Sequence, residues 1–335
     1  MKLLDSPAAI KSKDLLSKHT TFVTFVGLIF ILAILTQGRT LTWESLRILI
    51  IAESVRAFAA LGVGMIIITR GIDLSIGFVV CLAASVAASF AQEAAHTAAI
   101  YPGRTFPLIV PILAGILTGG IFGLFNGFLV AYGKLPPFIA TLGTMVIARG
   151  VQLIYTNAAI VSSLTGPYRA IAQTTIGANI RLPIMTIYLV LVIFIVYLVL
   201  RHTRLGSNFY AIGGNAQAAR VSGINVERNL LFVYLFAGLL YGCAGVLLSS
   251  RLALANALTA VGMELDAIAA VTVGGVSHAG GVGTVGGMVV GIFTIGLINY
   301  GMSFMAVDSF YQYVVKGAII IIAVYFDMKK YAKRA

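Results

Sequence analysis

The sequence predicts an all-α polytopic membrane protein of about ten transmembrane helices, with both termini in the cytoplasm. Three observations predict it. Of the 335 residues, 59% are hydrophobic and only 10% are charged, whereas soluble domains carry about 25% charged residues. The apolar residues gather into runs near the ~20 needed to cross the hydrocarbon layer. The charges fall in the gaps between those runs, and they favour one side.

The candidate spans are 20–37, 47–69, 74–91, 107–132, 136–156, 182–200, 229–249, 262–277, 281–303 and 310–327. The first run follows Lys2, Lys11, Lys13 and Lys18 and leads into GRTLTWES with no A-x-A site. It reads as a retained span rather than a cleaved signal peptide. QEAAHTAAIYPGRTF separates the third span from the fourth. The eighth and ninth are glycine-rich and divided only by SHAGG, so a count of eight or nine stays open. The chain then divides into a cytoplasmic segment 1–19, a transmembrane body 20–327 with an inner loop 201–228, and a basic tail 328–335.

Lysines and arginines orient the spans. With the N-terminus inside, the inner segments hold Lys2, Lys11, Lys13, Lys18, Arg70, Lys134, Arg201, Arg204, Arg220, Arg228, Lys329, Lys330, Lys333 and Arg334. The outer segments hold only Arg39, Arg47, Arg104, Arg169, Arg181 and Arg251. This is the asymmetry of a protein with both termini in the cytoplasm. It also accounts for the net charge of +12 without a basic patch, so no nucleic-acid partner is expected. Cys81 and Cys243 lie in apolar runs and read as small core residues. The four histidines are scattered, so no metal site is expected.

The inner loop contains GGNAQAARVSGINV, a polar, glycine-bracketed stretch in an otherwise oily chain. Asn215 is a good N-cap and Gly223 a good stop for about two helical turns from Ala216 to Ser222. So short a helix is unstable alone and needs a packing partner. Either the stretch is a solvated turn between spans, or it is a docking helix. In the second reading small alanines admit a partner closely, and Arg220 and Arg228 pair with its acids. Arg201 and Arg204 sit where they can snorkel to anionic headgroups. A docking helix on the inner side invites a separate energy-supplying subunit, because no G-x-x-x-x-G-K-[ST] loop occurs in this chain.

Several stretches resemble a known family. GMIIITRGIDLSIG (64–77), PPFIATLGTMVIARG (136–150), GSNFYAIGGNAQAARVSGINV (206–226) and ELDAIAAVTVGGVSHAGGVGTVGG (264–287) are similar, in that order, to segments of the membrane permeases of carbohydrate ABC importers, ribose/galactose branch. The stretch 298–333 looks closest to the galactose/methyl-galactoside permeases, while the first 50 residues match poorly. The resemblance implies a homodimer in a bacterial inner membrane. It implies a cytoplasmic ATPase subunit that binds ATP and Mg, and an extracytoplasmic sugar-binding protein. It implies no cofactor and no enzymatic activity in this chain. It also implies that Gly214, Asn215, Ala218, Ala219, Arg220 and Gly223 meet the ATPase.

Ionisable residues inside spans suggest function by default. Glu53 and Arg56 share one helix face, either as a self-neutralising pair or as a border of the sugar path. Asp73, in GIDLS, is expected to cap the third helix by accepting an N–H near Ile76. Glu264 and Asp266 open the eighth span, where acids suit the helix dipole. Arg149 and Lys316 each precede a glycine, and Asn126 and Asn299 each sit near a glycine in the span before. This suggests that spans 4–5 and 9–10 form an inverted repeat. The 36 glycines serve either close packing or a gate. A sugar path wants polar, uncharged walls, and Asn126, Thr141, Thr144, Gln152, Thr272 and Asn299 are candidates beside Glu53 and Arg56. The rival to an ATP-driven permease is a proton- or sodium-coupled transporter with Glu53 as the titrating acid. A membrane enzyme ranks last, since no catalytic constellation stands out.

Overall fold

The computed structural model describes residues 20–332. The basic residues of 1–19 and of 333–335 that enter the charge asymmetry lie outside the described residues. The chain is an all-α bundle. In order it forms α1 (Thr20–Leu35), α2 (Trp43–Ile68), α3 (Ile76–Phe90), α4 (Ile109–Ala131), α5 (Pro137–Thr156), α6 (Gly166–Gln173), α7 (Met185–His202), α8 (Arg204–Gly214), α9 (Ala216–Val221), α10 (Val226–Leu252), α11 (Met263–Val273), α12 (Val285–Phe304) and α13 (Ser309–Ala332). A two-stranded hairpin of β1 (Thr175–Ile176) and β2 (Leu182–Pro183) lies between α6 and α7.

Among the described residues, seven helices are long and apolar enough to cross a membrane: α2, α4, α5, α7, α10, α12 and α13. Three further expected spans correspond to shorter helices. α1 has 16 residues, α3 has 15 and α11 has 11. At 1.5 Å per residue α11 is only about 16 Å long, roughly half the hydrocarbon thickness. The expected eighth span, 262–277, is therefore cut short. Gly275, Gly280 and Gly281 take left-handed φ values of 87°, 80° and 71°, which ends the helix and leaves 274–284 as a loop. Sequence periodicity also passed over α6 and the small hairpin, which are too short to carry an apolar stripe.

The core is built on α2 and α10. From Glu53 to Ile68 every residue of α2 except Arg56 is buried. α10 packs antiparallel to it: Gly62 abuts Ala237 and Tyr241, while the Tyr234 hydroxyl reaches the Ile72 carbonyl at 3.2 Å, beyond the end of α2. α4 presses on α10 through a glycine seam. A methyl on Gly119 would lie 2.3 Å from the Gly238 carbonyl oxygen, and one on Gly238 would lie 2.7 Å from the Gly123 Cα. The seam repeats at Gly115, Gly119, Gly123 and Gly127, the four-residue spacing that keeps one face of a helix bare.

Two groups of four helices repeat the same order. α2–α3–α4–α5 runs 26, 15, 23 and 20 residues, and α10–α11–α12–α13 runs 27, 11, 20 and 24. Each group has its short helix second. Since α2 and α10 are antiparallel, the two groups run in opposite senses, as an inverted repeat requires. Replacing Gly238 with valine drives a side chain into backbone; we expect a loss of about 3 kcal/mol, read as a lowered midpoint in thermal denaturation of the purified detergent-solubilised chain.

Candidate coupling surface and buried polar network

One end of the bundle gathers the end of α2, the 201–228 loop and the glycine stretch 274–284. Thr203 caps α8 and Asn215 caps α9; the Asn215 Oδ1 accepts from the amides of Gln217 (2.9 Å) and Ala218 (3.0 Å). Gly223 closes the turn with φ 86°. The helix that is too short to stand alone is held by a small cluster of Ile212, Ala219 and Val226, flanked by Ile224 and Leu230. Outward it shows Gly214, Asn215, Ala218 and Arg220, with Val221 at 90% exposure. A flat, small-residue knob with one bare valine is suited to a protein surface, since exposed apolar groups rimmed by polar ones mark contact sites. Of the expected coupling residues only Ala219 points inward. Arg220, expected to meet a partner's acid, is bound within the chain to Glu227, and Lys134 from the α4–α5 turn holds the same Glu227 oxygen at 2.8 Å.

The rest of this end is stitched by loops. The Asp327 carboxylate on α13 accepts from the Ser277 hydroxyl (3.2 Å) and the His278 amide (3.0 Å). His278 Nε2 lies 2.8 Å from the Thr272 hydroxyl. Burial pushes the His278 imidazole below its usual pKa, and Asp327 only partly opposes this.

Deeper in the bundle the polar residues form separate groups. The first surrounds Gly71–Ser75, the non-helical turn before α3. Asp73 is fully buried, and its Oδ1 accepts from the Ser75 amide (2.8 Å) and hydroxyl (2.6 Å). The expected partner near Ile76 is replaced by Ser75, because the carboxylate closes a tight Asx turn two residues on. Asn126 donates to the Ser75 hydroxyl at 2.9 Å, and the Leu74 amide donates to the Thr141 hydroxyl at 3.2 Å. Both of these path candidates therefore brace the turn.

The second group centres on Asp266, which sequence reasoning had assigned only to the helix dipole. Lys316 Nζ stands 3.1 Å from both Asp266 carboxylate oxygens, Arg56 Nε is at 3.7 Å, and Asn299 donates to Oδ2 at 3.4 Å. Arg56 also pairs with Glu53. Two acids and two cations from α2, α11 and α13 thus neutralise one another, with an amide from α12. Buried charges survive in apolar surroundings only when paired in this way. Glu53 and Arg56 are the self-neutralising pair the sequence allows, extended by a second pair. Beside it Asp266, Asn299 and Lys316 line a void of about 10 Å³, at the limit for one water. Asn299 Oδ1 is buried without a partner.

The two groups match across the repeat. GIDLS (71–75) and GMELD (262–266) open the short helices, and the asparagine of the next helix contacts the fifth residue of each: Asn126 with Ser75, Asn299 with Asp266. Arg149 and Lys316 diverge. Lys316 meets Asp266, whereas the Arg149 guanidinium lies 5.4 Å over the Phe78 ring. The remaining path candidates sit apart. Gln152 donates to the Ser85 hydroxyl at 3.1 Å, and Thr144 is buried with no hydrogen-bond partner. The candidates do not meet in one chamber.

Membrane-length helices, two short helices between them and a capped knob at one end define a multi-pass membrane protein. The family described as branched-chain amino acid transport system / permease component matches residues 45–324, and the chain belongs to that family. It is 40% identical to the galactose/methyl galactoside import permease MglC of Haemophilus influenzae over 97% of this chain and 98% of that protein. It is 36% identical to the ribose import permease RbsC of Escherichia coli, over 95% and 96% of the two chains. The D-allose permease AlsC of Escherichia coli is 34% identical over 92% and 91%. No solved structure matches the chain. Permease relatives and membrane-length helices together make this a multi-pass protein of a bacterial inner membrane.

Asp266→Ala leaves the half-buried Lys316 without its carboxylate. The expected loss is about 3–5 kcal/mol, seen as a lower melting midpoint, and Lys316→Met in the same chain is expected to recover most of it.

Proposed function

We propose that this chain is the membrane permease subunit of an ATP-driven importer for a monosaccharide, with galactose or methyl galactoside the leading substrates. The observation that carries this reading is the end-to-end likeness to galactose/methyl galactoside import permeases, at 40% identity over 97% of the chain. A separate cytoplasmic subunit binds ATP and Mg and docks on the knob around Gly214, Asn215, Ala218, Ala219, Arg220 and Gly223. An extracytoplasmic binding protein selects the sugar and delivers it at the opposite end. Two copies of the chain form the assembly, with both termini in the cytoplasm and ten segments in the membrane. The void beside Asp266 is far smaller than a sugar, so a path at that place opens through helix movement. ATP-driven closure of the partner subunits displaces the knob, and the bundle alternates between inward-open and outward-open states a few kcal/mol apart.

An ion-coupled transporter needs a membrane acid free to titrate. Glu53, its main candidate, is held by Arg56. The direct test is uptake in cells: ATP-driven import survives a protonophore and stops when the partner ATPase gene is deleted. The reverse pattern overturns the proposal. Gly223→Pro and Arg220→Glu are each expected to lower sugar uptake at least tenfold while the chain remains in the membrane fraction. The glycine needs its positive φ, and the second change sets an acid beside Glu227. Wild-type uptake in both variants would remove the docking role.

A further inference from the structure

Arg70 follows directly on the last turn of α2, with a left-handed φ of 64°. A bulky residue rarely adopts that conformation without a local reason. The reason here is where its side chain goes. Nε donates to the Ala279 carbonyl, and Nη2 donates to the Gly214 carbonyl at 3.0 Å. Gly214 is the last residue of α8, next to the cap of α9. Ala279 lies in the glycine stretch between α11 and α12. One guanidinium therefore staples two segments that are distant in sequence.

Backbone meets backbone at the same point. The Gly281 amide donates to the Ile68 carbonyl at 2.8 Å. A methyl on Gly213 would lie 1.8 Å from the Ile68 oxygen and 2.5 Å from the Gly281 nitrogen, and one on Gly280 would lie 2.1 Å from the Arg70 Cγ. The Tyr210 hydroxyl bonds α8 to the glycine stretch directly, at 2.9 Å to the Gly283 carbonyl. The knob cannot shift without moving this junction, since nothing compressible separates the three segments.

Both short helices hang from the junction. In one direction Arg70 leads straight into Gly71–Ser75 and α3. In the other, Ala279 leads back through Ser277 and His278 to Thr272 on α11, and across to Asp327 on α13.

We propose that Arg70 is the positioning residue that carries movement of the knob into the two short helices α3 and α11 at once. This rests on the importer reading above. Two donors on one rigid planar group are what the task requires; a lysine keeps the charge but offers a single nitrogen that cannot hold both carbonyls in fixed geometry.

The test uses the whole assembly: this chain, its ATPase and the galactose-loaded binding protein, in proteoliposomes. Arg70→Lys and Arg70→Gln are expected to retain the ATPase on purification within twofold of wild type, with unchanged basal hydrolysis. Stimulation of hydrolysis by the loaded binding protein, and galactose uptake, are expected to fall at least tenfold in both. Deuterium exchange of amides 275–283 is expected to respond to MgATP in wild type and not in Arg70→Lys. Wild-type stimulation in Arg70→Lys overturns the proposal, and so does loss of the ATPase from that variant, which makes Arg70 part of the docking surface instead. Should Arg70→Gln not insert, the lysine variant decides alone. A wild-type chain that retains no ATPase overturns the importer reading, and this proposal with it.

Discussion

The glycine seam between α4 and α10 is the contact on which the interior depends. It lets two backbones approach to distances that no side chain could share. Close approach places Tyr234 of α10 and Asn126 of α4 on the same irregular turn, where they bind the Ile72 carbonyl and the Ser75 hydroxyl. The peptide groups that α2 and α3 leave open between them must be answered inside the protein, because lipid offers no hydrogen bonds. Without the seam the turn would lose part of that cover, and α3 could not begin where it does.

The sequence was most informative where one signal dominated. Apolar runs located the helices, and Asn215 and Gly223 located a capped turn, because capping is a matter between neighbouring residues. The paired asparagines, Asn126 and Asn299, marked a real correspondence between the two halves, visible because both polar residues stand alone in apolar surroundings. What stayed hidden depends on neighbours distant in the chain. Asp266 looked like a residue at the start of a helix; only folding brings Arg56 and Lys316 to it. Thr141 and Asn126 looked like path walls, yet each is engaged by one backbone turn some fifty residues or more away. The two ends of the glycine run, 274–277 and 281–284, looked helical because alanine, valine and glycine all occur in packed membrane helices. Its left-handed φ values arise from packing against α8 and the end of α2.

The charged residues of the bundle divide by purpose. In the interior Glu53, Arg56, Asp266 and Lys316 neutralise one another, whereas the fully buried Asp73 is held by the Ser75 amide and hydroxyl alone. At the knob end Glu227 holds both Arg220 and Lys134, while Arg201, Arg204 and Arg228 stand exposed. Beside them the knob shows the bare Val221 and small residues.

The outermost helix has a history written into it. α13 buries none of its described side chains, and it is fastened to the bundle by Lys316 at one level and Asp327 at another. During synthesis α13 leaves the ribosome after α11 and its Asp266. Without α13, Asp266 has the Asn299 amide at 3.4 Å and Arg56 at 3.7 Å, the latter already shared with Glu53. A lysine in mid-helix is in turn a poor passenger in lipid. Each therefore makes the other's membrane insertion affordable, and the cluster around Asp266 is complete only with α13 in place.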